Sequence, residues 1–383
     1  MNLQEQALES RTKTGRIFVL DALRGLAAFT VIWHHFHFAF ATAQSHRWYL
    51  RPFTAGHEAV MLFFVLSGYV LSVAVWHGKQ LPYPRYLIRR LTRIYLPYVA
   101  AMLISVVVGK HFLFSRLPLH PWFYQTWQEP ITWRVIAGGF MVEPYPKLNT
   151  SFWSLQYEMQ MSLIFPLLCR IIAKFRTLGT ALLIIGLYWA SVCVTRYTSD
   201  PYFISESLEY CTFFLMGALI AKSQTIITAK WNQAGITLKV LITATSFALY
   251  YHFFGFLKGR TAFRFGFADS TDVFRSDFVV AMGVIGIIVV ATSSETMQRL
   301  LDQPLFEYLG RVSYSMYLLH SVVLFSFIDM FYGKVSLAVL GLGYLVTTML
   351  VSHVFLISVE EPSLQWGKRL TSRLAAREKA VLA

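Results

Sequence analysis

The chain has 383 residues, 56% of them hydrophobic and 14% charged, and its mean hydropathy is +0.50. Soluble domains carry about a quarter charged residues, so this composition excludes a soluble globular protein and points to a polytopic membrane protein. The formal net charge of +14 gathers beside apolar windows, a pattern of membrane topology and anionic-lipid contact rather than of nucleic-acid binding.

Apolar windows long enough to span a bilayer fall at 17–40, 58–77, 94–114, 152–173, 179–197, 207–222, 236–256, 277–293, 311–332 and 335–359. They predict an all-α, polytopic membrane helix bundle of about ten transmembrane helices. The leader, 1–16, ends in Arg11, Lys13 and Arg16 and lacks a small-residue cleavage pattern, so the first window is expected to stay in the protein. The transmembrane domain is expected over 17–360, with a basic tail at 361–383. With ten helices, four basic segments fall on one side. These are the leader, the 79–93 connection, the turn with Arg170, Lys174 and Arg176, and the tail with Lys368, Arg369, Arg373, Arg377 and Lys379. The positive-inside rule makes that side cytoplasmic, and both termini with it. The 258–275 loop, with Lys258, Arg260, Arg264 and Arg275, is an exception, partly neutralised by Asp269, Asp272 and Asp277. Cys169, Cys193 and Cys211 show no CxxC spacing, so neither a disulfide framework nor a metal site is expected.

The first window carries Asp21, Arg24, His34, His35 and His37. At about 100° per residue, Arg24 and His35 end about 20° apart around the helix and about 16 Å apart along it, with Asp21 within about 40° of His35. His34 lies about 80° to one side. Ionisable groups on one face of a span mark function; the alternative is a salt-bridged helix end and a histidine satisfied by a neighbouring helix. The connection after the second window, Pro84 to Pro97, holds Arg85, Arg89, Arg90 and Arg93. Residues three and four apart are neighbours on a helix, and clustered guanidinium forks suit a polyanion such as a nucleotide phosphate, although such clusters also anchor spans at lipid headgroups. The fourth window opens with Asn149 to Glu158, a stretch that includes Trp153 and is expected at the outer side. A carboxylate two turns into a span needs a partner or a raised pKa, both recurrent in acid/base sites. Gly310 to His320 adds a stripe of hydroxyls and an imidazole, a pattern that also serves as interhelical glue. The 111–134 loop offers His120, Trp122, Phe123, Tyr124, Trp127 and Trp133, whose rings suit either sugar stacking or the membrane interface.

In order along nearly the whole chain, these segments resemble the acyltransferase-3 family of integral membrane acyltransferases. Leu20 to Ala28 followed by His35 is similar to its opening signature and Phe63-Phe64-Val65-Leu66-Ser67-Gly68-Tyr69 to its second-helix motif. Arg90-Leu91-Thr92-Arg93 resembles its two-arginine motif, Ser154 to Glu158 its serine-leucine-glutamate motif, Ser313 to His320 its late helix, and Glu360-Glu361-Pro362 its usual close. Larger members append a soluble hydrolase-like domain, whereas about twenty residues follow here. The resemblance implies O-acyl transfer, usually of acetyl, from cytoplasmic acyl-CoA as co-substrate to a hydroxyl of a cell-surface carbohydrate or lipid-linked glycan. It also implies a multi-pass protein of the bacterial cytoplasmic membrane. In that light His35 is expected to be the general base, with Glu158 orienting it or pairing with Arg24, and with Asp21 and Arg24 organising the donor end of a channel. Arg90 and Arg93, with Arg89, are expected on the phosphates of coenzyme A, and Trp122, Tyr124, Trp153 and His320 on the acceptor. A proton-coupled transporter of a small polar or sugar-like solute is the alternative; paired repeats with matching Gly or Pro breaks, its usual sign, are not found.

Overall fold

Each apolar window coincides with a helix in the computed structural model, which describes residues 18–40, 51–78, 81–111, 117, 119, 123, 126–127, 130–142, 148–197, 202–251 and 270–382. The first helices are α1 (Phe18–Ala39), α2 (Arg51–Thr54), α3 (Gly56–Trp76), α4 (Tyr83–Arg90), α5 (Leu96–His111) and α6 (Trp133–Phe140). They are followed by α7 (Trp153–Ala173), α8 (Thr177–Tyr197), α9 (Tyr202–Gln233), α10 (Ile236–Tyr250) and α11 (Ser270–Ser293). The chain ends with α12 (Glu295–Leu301), α13 (Pro304–Phe331), α14 (Leu337–Phe355) and α15 (Glu361–Leu382). Among the described residues there is no strand, and the fold is an all-α helical bundle.

Among the described residues, seven helices or helical runs are long and apolar enough to cross a membrane: α3, α4 running into α5, α8, α9, α11, α13, and α14 running into α15. The other three windows differ for local reasons. Helices α1 and α7 have 22 and 21 residues but replace apolar positions with the ionisable and amide side chains of the site, and α10 has 15 residues. Apolar side chains such as Leu167, Leu182 and Leu350 remain exposed on the outside of the bundle, while Phe64, Phe165, Phe213, Phe214 and Phe325 fill its interior. That inside-out surface is the signature of a lipid-facing bundle.

Helices α1 and α13 run parallel and touch through glycine. A Cβ on Gly25 would stand 2.6 Å from the Gly310 nitrogen, and one on Gly310 would stand 2.5 Å from the Asp21 carbonyl oxygen. Only a residue without a side chain lets two helix backbones meet this closely. This contact holds the Asp21 to His35 face of α1 against the Gly310 to His320 stripe of α13.

Helix α7 begins at mid-depth rather than at the outer end expected from its window. Asn149 is buried; its Nδ2 donates to the carbonyl of Leu318, halfway along α13, at 2.8 Å, and its Oδ1 accepts from the Ser151 amide at 3.0 Å. Capping from a buried amide lets the chain start a helix inside the bundle without orphaned backbone groups. Two π-helical turns, Leu91–Tyr95 and Leu356–Glu360, lie near one another, with Ser363 Oγ donating to the Thr92 carbonyl at 2.8 Å. Such turns are rare and concentrate at functional sites. The basic tail is not a separate appendage: α15 continues α14 and packs along α4, with Arg85 bonded to Glu378 at 2.6 Å.

Candidate active site

Six helical elements bring the ionisable residues into one cavity of about 130 Å³. Asp21 and Arg24 reach it from α1, Arg90 and Arg93 from the end of α4 and the adjoining π turn, Glu158 from α7, and Arg311 from α13. Glu360, on the second π turn, closes the ring. The wall thus carries four guanidinium groups and three carboxylates.

The pairings decide what each group does. Asp21 and Arg24 form an ion pair one helical turn apart, at 3.5 Å. Arg90 Nη2 donates to Glu158 Oε1 and to Ser162 Oγ, both at 2.8 Å. Glu158 therefore meets Arg90, where a partnership with His35 or Arg24 was expected; α7 starts so deep that its second turn reaches the level of α4. Arg311 pairs with Glu361 at 3.0 Å, and Glu360 Oε2 accepts from Ser315 Oγ at 2.6 Å. Arg93 stands among the like charges of Arg24 and Arg90 and the opposite charges of Glu360 and Asp21. Arginines clustered this closely are kept together by the carboxylates between them, and an anion entering the cavity would relieve their mutual repulsion further.

The inner end of the cavity is walled by Ser154 and Tyr317, whose hydroxyls bond each other at 2.6 Å. The Tyr317 ring lies 5.9 Å from that of His320, and His320 stacks on His35 with centroids 4.9 Å apart. His320 Nδ1 lies 2.9 Å from the Tyr317 carbonyl and 3.1 Å from that of Met316. Carbonyls only accept, so Nδ1 carries the proton and Nε2 is the acceptor nitrogen of the neutral ring. His35 Nδ1 is 2.7 Å from that Nε2 and must donate to it, which puts the lone pair of a neutral His35 on its own Nε2. Ser321 Oγ also reaches His320 Nε2, at 3.2 Å. A fixed tautomer is what a general base requires.

The acceptor contacts expected from sequence fare differently from one another. His320 is fully buried behind His35, so it orients the imidazole rather than lining an outer groove. Trp153 stacks on His57, 6.4 Å away and 14° from parallel. Trp122 and Tyr124 lie outside the described residues. Of the same loop, Phe123 and Trp127 pack against Phe325 in the core, and Trp127 Nε1 donates to the Leu148 carbonyl at 2.8 Å. Neighbouring His34 keeps its ring 5.5 Å from that of His35 and its Nδ1 2.7 Å from the Thr54 carbonyl.

Several polar residues of this region escaped the sequence reading. Glu360 was noted only as part of a terminal motif; its place at the end of the last apolar window was the available signal. Asp277, counted as a loop charge, is 1% exposed and accepts from His57 Nε2 through both oxygens, at 2.8 and 2.9 Å. Tyr157 donates to Glu206, and Glu58 and Glu209 are buried in the same region. Asp277, Glu58, Glu206 and Glu209 each sit within two turns of a helix start.

No curated protein and no solved structure matches the chain. A family model described as an acyltransferase domain matches residues 17–357, a span that contains Asp21, Arg24, the arginine pair and both histidines. This span agrees with the order of the sequence motifs and with a site built from them: the chain belongs to the acyltransferase-3 family and is a membrane acyltransferase.

Proposed function

We propose that the protein transfers an acyl group, acetyl in the first instance, from cytoplasmic acyl-CoA to a hydroxyl of a carbohydrate or glycolipid acceptor at the outer side of a bacterial cytoplasmic membrane. The observation that carries this reading is that Tyr317, which lines the arginine-rich cavity, also touches His320 of the tautomer-fixed histidine pair. Arg90 and Arg93, with Arg89 beside them, take the phosphates of coenzyme A. Asp21, Arg24 and Glu158 keep those guanidinium groups spread and oriented. The pantetheine arm then spans the three helical turns between Arg24 and His35, about 16 Å, and brings the thioester to the imidazole.

At that point the acceptor hydroxyl gives its proton to His35 Nε2 as its oxygen attacks the thioester carbonyl. A carbon–oxygen bond forms and the carbon–sulfur bond breaks. The imidazolium, steadied by donation from Nδ1 to His320, returns the proton to the departing sulfur, leaving free coenzyme A and an ester. Trp153 and the aromatic loop around Trp122 and Tyr124 are the acceptor side. Membership of the family favours this chemistry over a proton-coupled transporter, which the buried charges alone would also suit.

The test is transfer of label from [¹⁴C]acetyl-CoA into a cell-envelope glycan fraction by the purified protein in nanodiscs. Label in the glycan with wild type and none with His35→Ala, at equal folded yield, is the expected result. Label transferred at the wild-type rate by His35→Ala overturns the assignment.

A further inference from the structure

We propose that Lys368 of α15, together with Arg89 of α4, forms a phosphomonoester subsite at the cytoplasmic mouth of the cavity and takes the 3′-phosphate on the ribose of coenzyme A. The proposal rests on the donor reading above and adds a residue that no sequence motif contains. Leu364 lines the cavity, and a four-residue step along a helix turns only about 40° while rising about 6 Å. That step ends at Lys368, whose side chain is exposed. From Leu337 at the opposite end of the helical run, Lys368 is about 46 Å along the axis, beyond the roughly 30 Å of hydrocarbon.

Helical register separates Lys368 from the three arginines of the tail. Arg369, Arg373 and Arg377 point about 140° or more away from Leu364. On α4, Arg89 is exposed and leans on α15 by donating from Nε to Thr371 Oγ1 at 3.2 Å, three residues from Lys368. A hydroxyl carries no charge, so that bond leaves the guanidinium charge uncancelled. By contrast Arg85, Arg90 and Arg311 each pair with a glutamate. Gly367 packs directly on the side chain of Thr92, so backbone contact between α15 and the π turn sets the spacing of the two cations. An ammonium one helical turn from the residue that a guanidinium grips offers two cations to a phosphate dianion.

Lipid headgroup phosphates share this chemistry, and the experiment separates the two sources. Initial rates are measured in nanodiscs of phosphatidylcholine with acetyl-CoA and with acetyl-dephospho-CoA, which lacks only the 3′-phosphate. Wild type is expected to show a KM about tenfold higher for the dephospho donor, the effect of one charged contact. Lys368→Met should raise the KM for acetyl-CoA severalfold, leave that for the dephospho donor unchanged, and so lower the ratio by the same factor, with Arg89 holding the remainder. Lys368→Arg should restore the ratio, and Arg373→Met should not alter it. A full tenfold ratio in Lys368→Met overturns the proposal. So does an effect of that variant seen only when phosphatidylglycerol is added, which assigns the lysine to lipid. A wild type that turns over neither thioester overturns the donor reading itself, and this subsite with it.

Discussion

Replacing His320 with leucine tests the part of the site that geometry defines most sharply. The His35 Nδ1 to His320 Nε2 bond is 2.7 Å long and the two rings are stacked 15° from parallel, so leucine removes both the acceptor and the polar half of the stack. The His35 ring then has no reason to keep its lone pair on Nε2 or to hold its orientation. A positioned general base contributes about 10² to 10⁴ in rate, and losing most of that positioning should lower kcat by about 10² to 10³, or about 3–4 kcal/mol at 1.36 kcal/mol per decade. The KM for acyl-CoA should stay within about twofold of wild type, because the cationic cavity is about 16 Å further down α1. A buried N–H left without its acceptor also costs about 1–3 kcal/mol of stability, so thermal unfolding of the same samples is recorded beside the kinetics. His320→Gln, whose amide oxygen can stand where Nε2 stood, should recover at least tenfold of the lost kcat. A folded His320→Leu protein with wild-type kcat would refute the reasoning, as would a glutamine variant as inactive as the leucine one.

Arg90→Lys gives up the fork that grips Glu158 and Ser162 together, and should raise the KM for acyl-CoA about tenfold with kcat nearly unchanged; an unchanged KM removes Arg90 from the donor site. Gly310→Val forces a side chain against the Asp21 backbone, which cannot yield as a flexible side chain could. A loss of about 1–3 kcal/mol is expected, read as a lower unfolding temperature in detergent, and an unaltered melt denies the close α1–α13 contact. Asp277→Ala strips His57 of its buried partner and should destabilise by about 3–5 kcal/mol. The paired His57→Leu, Asp277→Leu protein should regain part of this, since apolar replacement of a buried pair is often close to neutral. Equal instability of the two proteins in the same unfolding assay contradicts that account.

The helices themselves were legible because lipid leaves little freedom: twenty apolar residues in a row can satisfy their backbone only as a helix. Where the windows and the helices differ, the site is the reason. Helix α7 starts level with Leu318 because a buried Asn149 caps the 3₁₀ turn, Thr150–Phe152, that leads into it there, a choice that hydropathy cannot register. The last window runs on through a π turn into α15 because the tail has α4 to pack against.

Within one helix, sequence spacing was enough. Asp21, Arg24 and His35 share a face of α1 by arithmetic alone, and Arg89, Arg90 and Arg93 are neighbours for the same reason. Between helices spacing says nothing, because apolar windows carry no register relative to one another. That Glu158 meets Arg90, 68 positions away, and that His320 backs His35 across 285 positions, follows from where Gly25 meets Gly310 and how deep α7 begins. Sequence by itself determined the membrane bundle, the family motifs and the single-helix stripe of acid, guanidinium and imidazole. Tertiary structure alone decided which partners those groups have, because partnership depends on helix depth and rotation, and these are set by close contacts between glycines and by buried caps rather than by any local pattern.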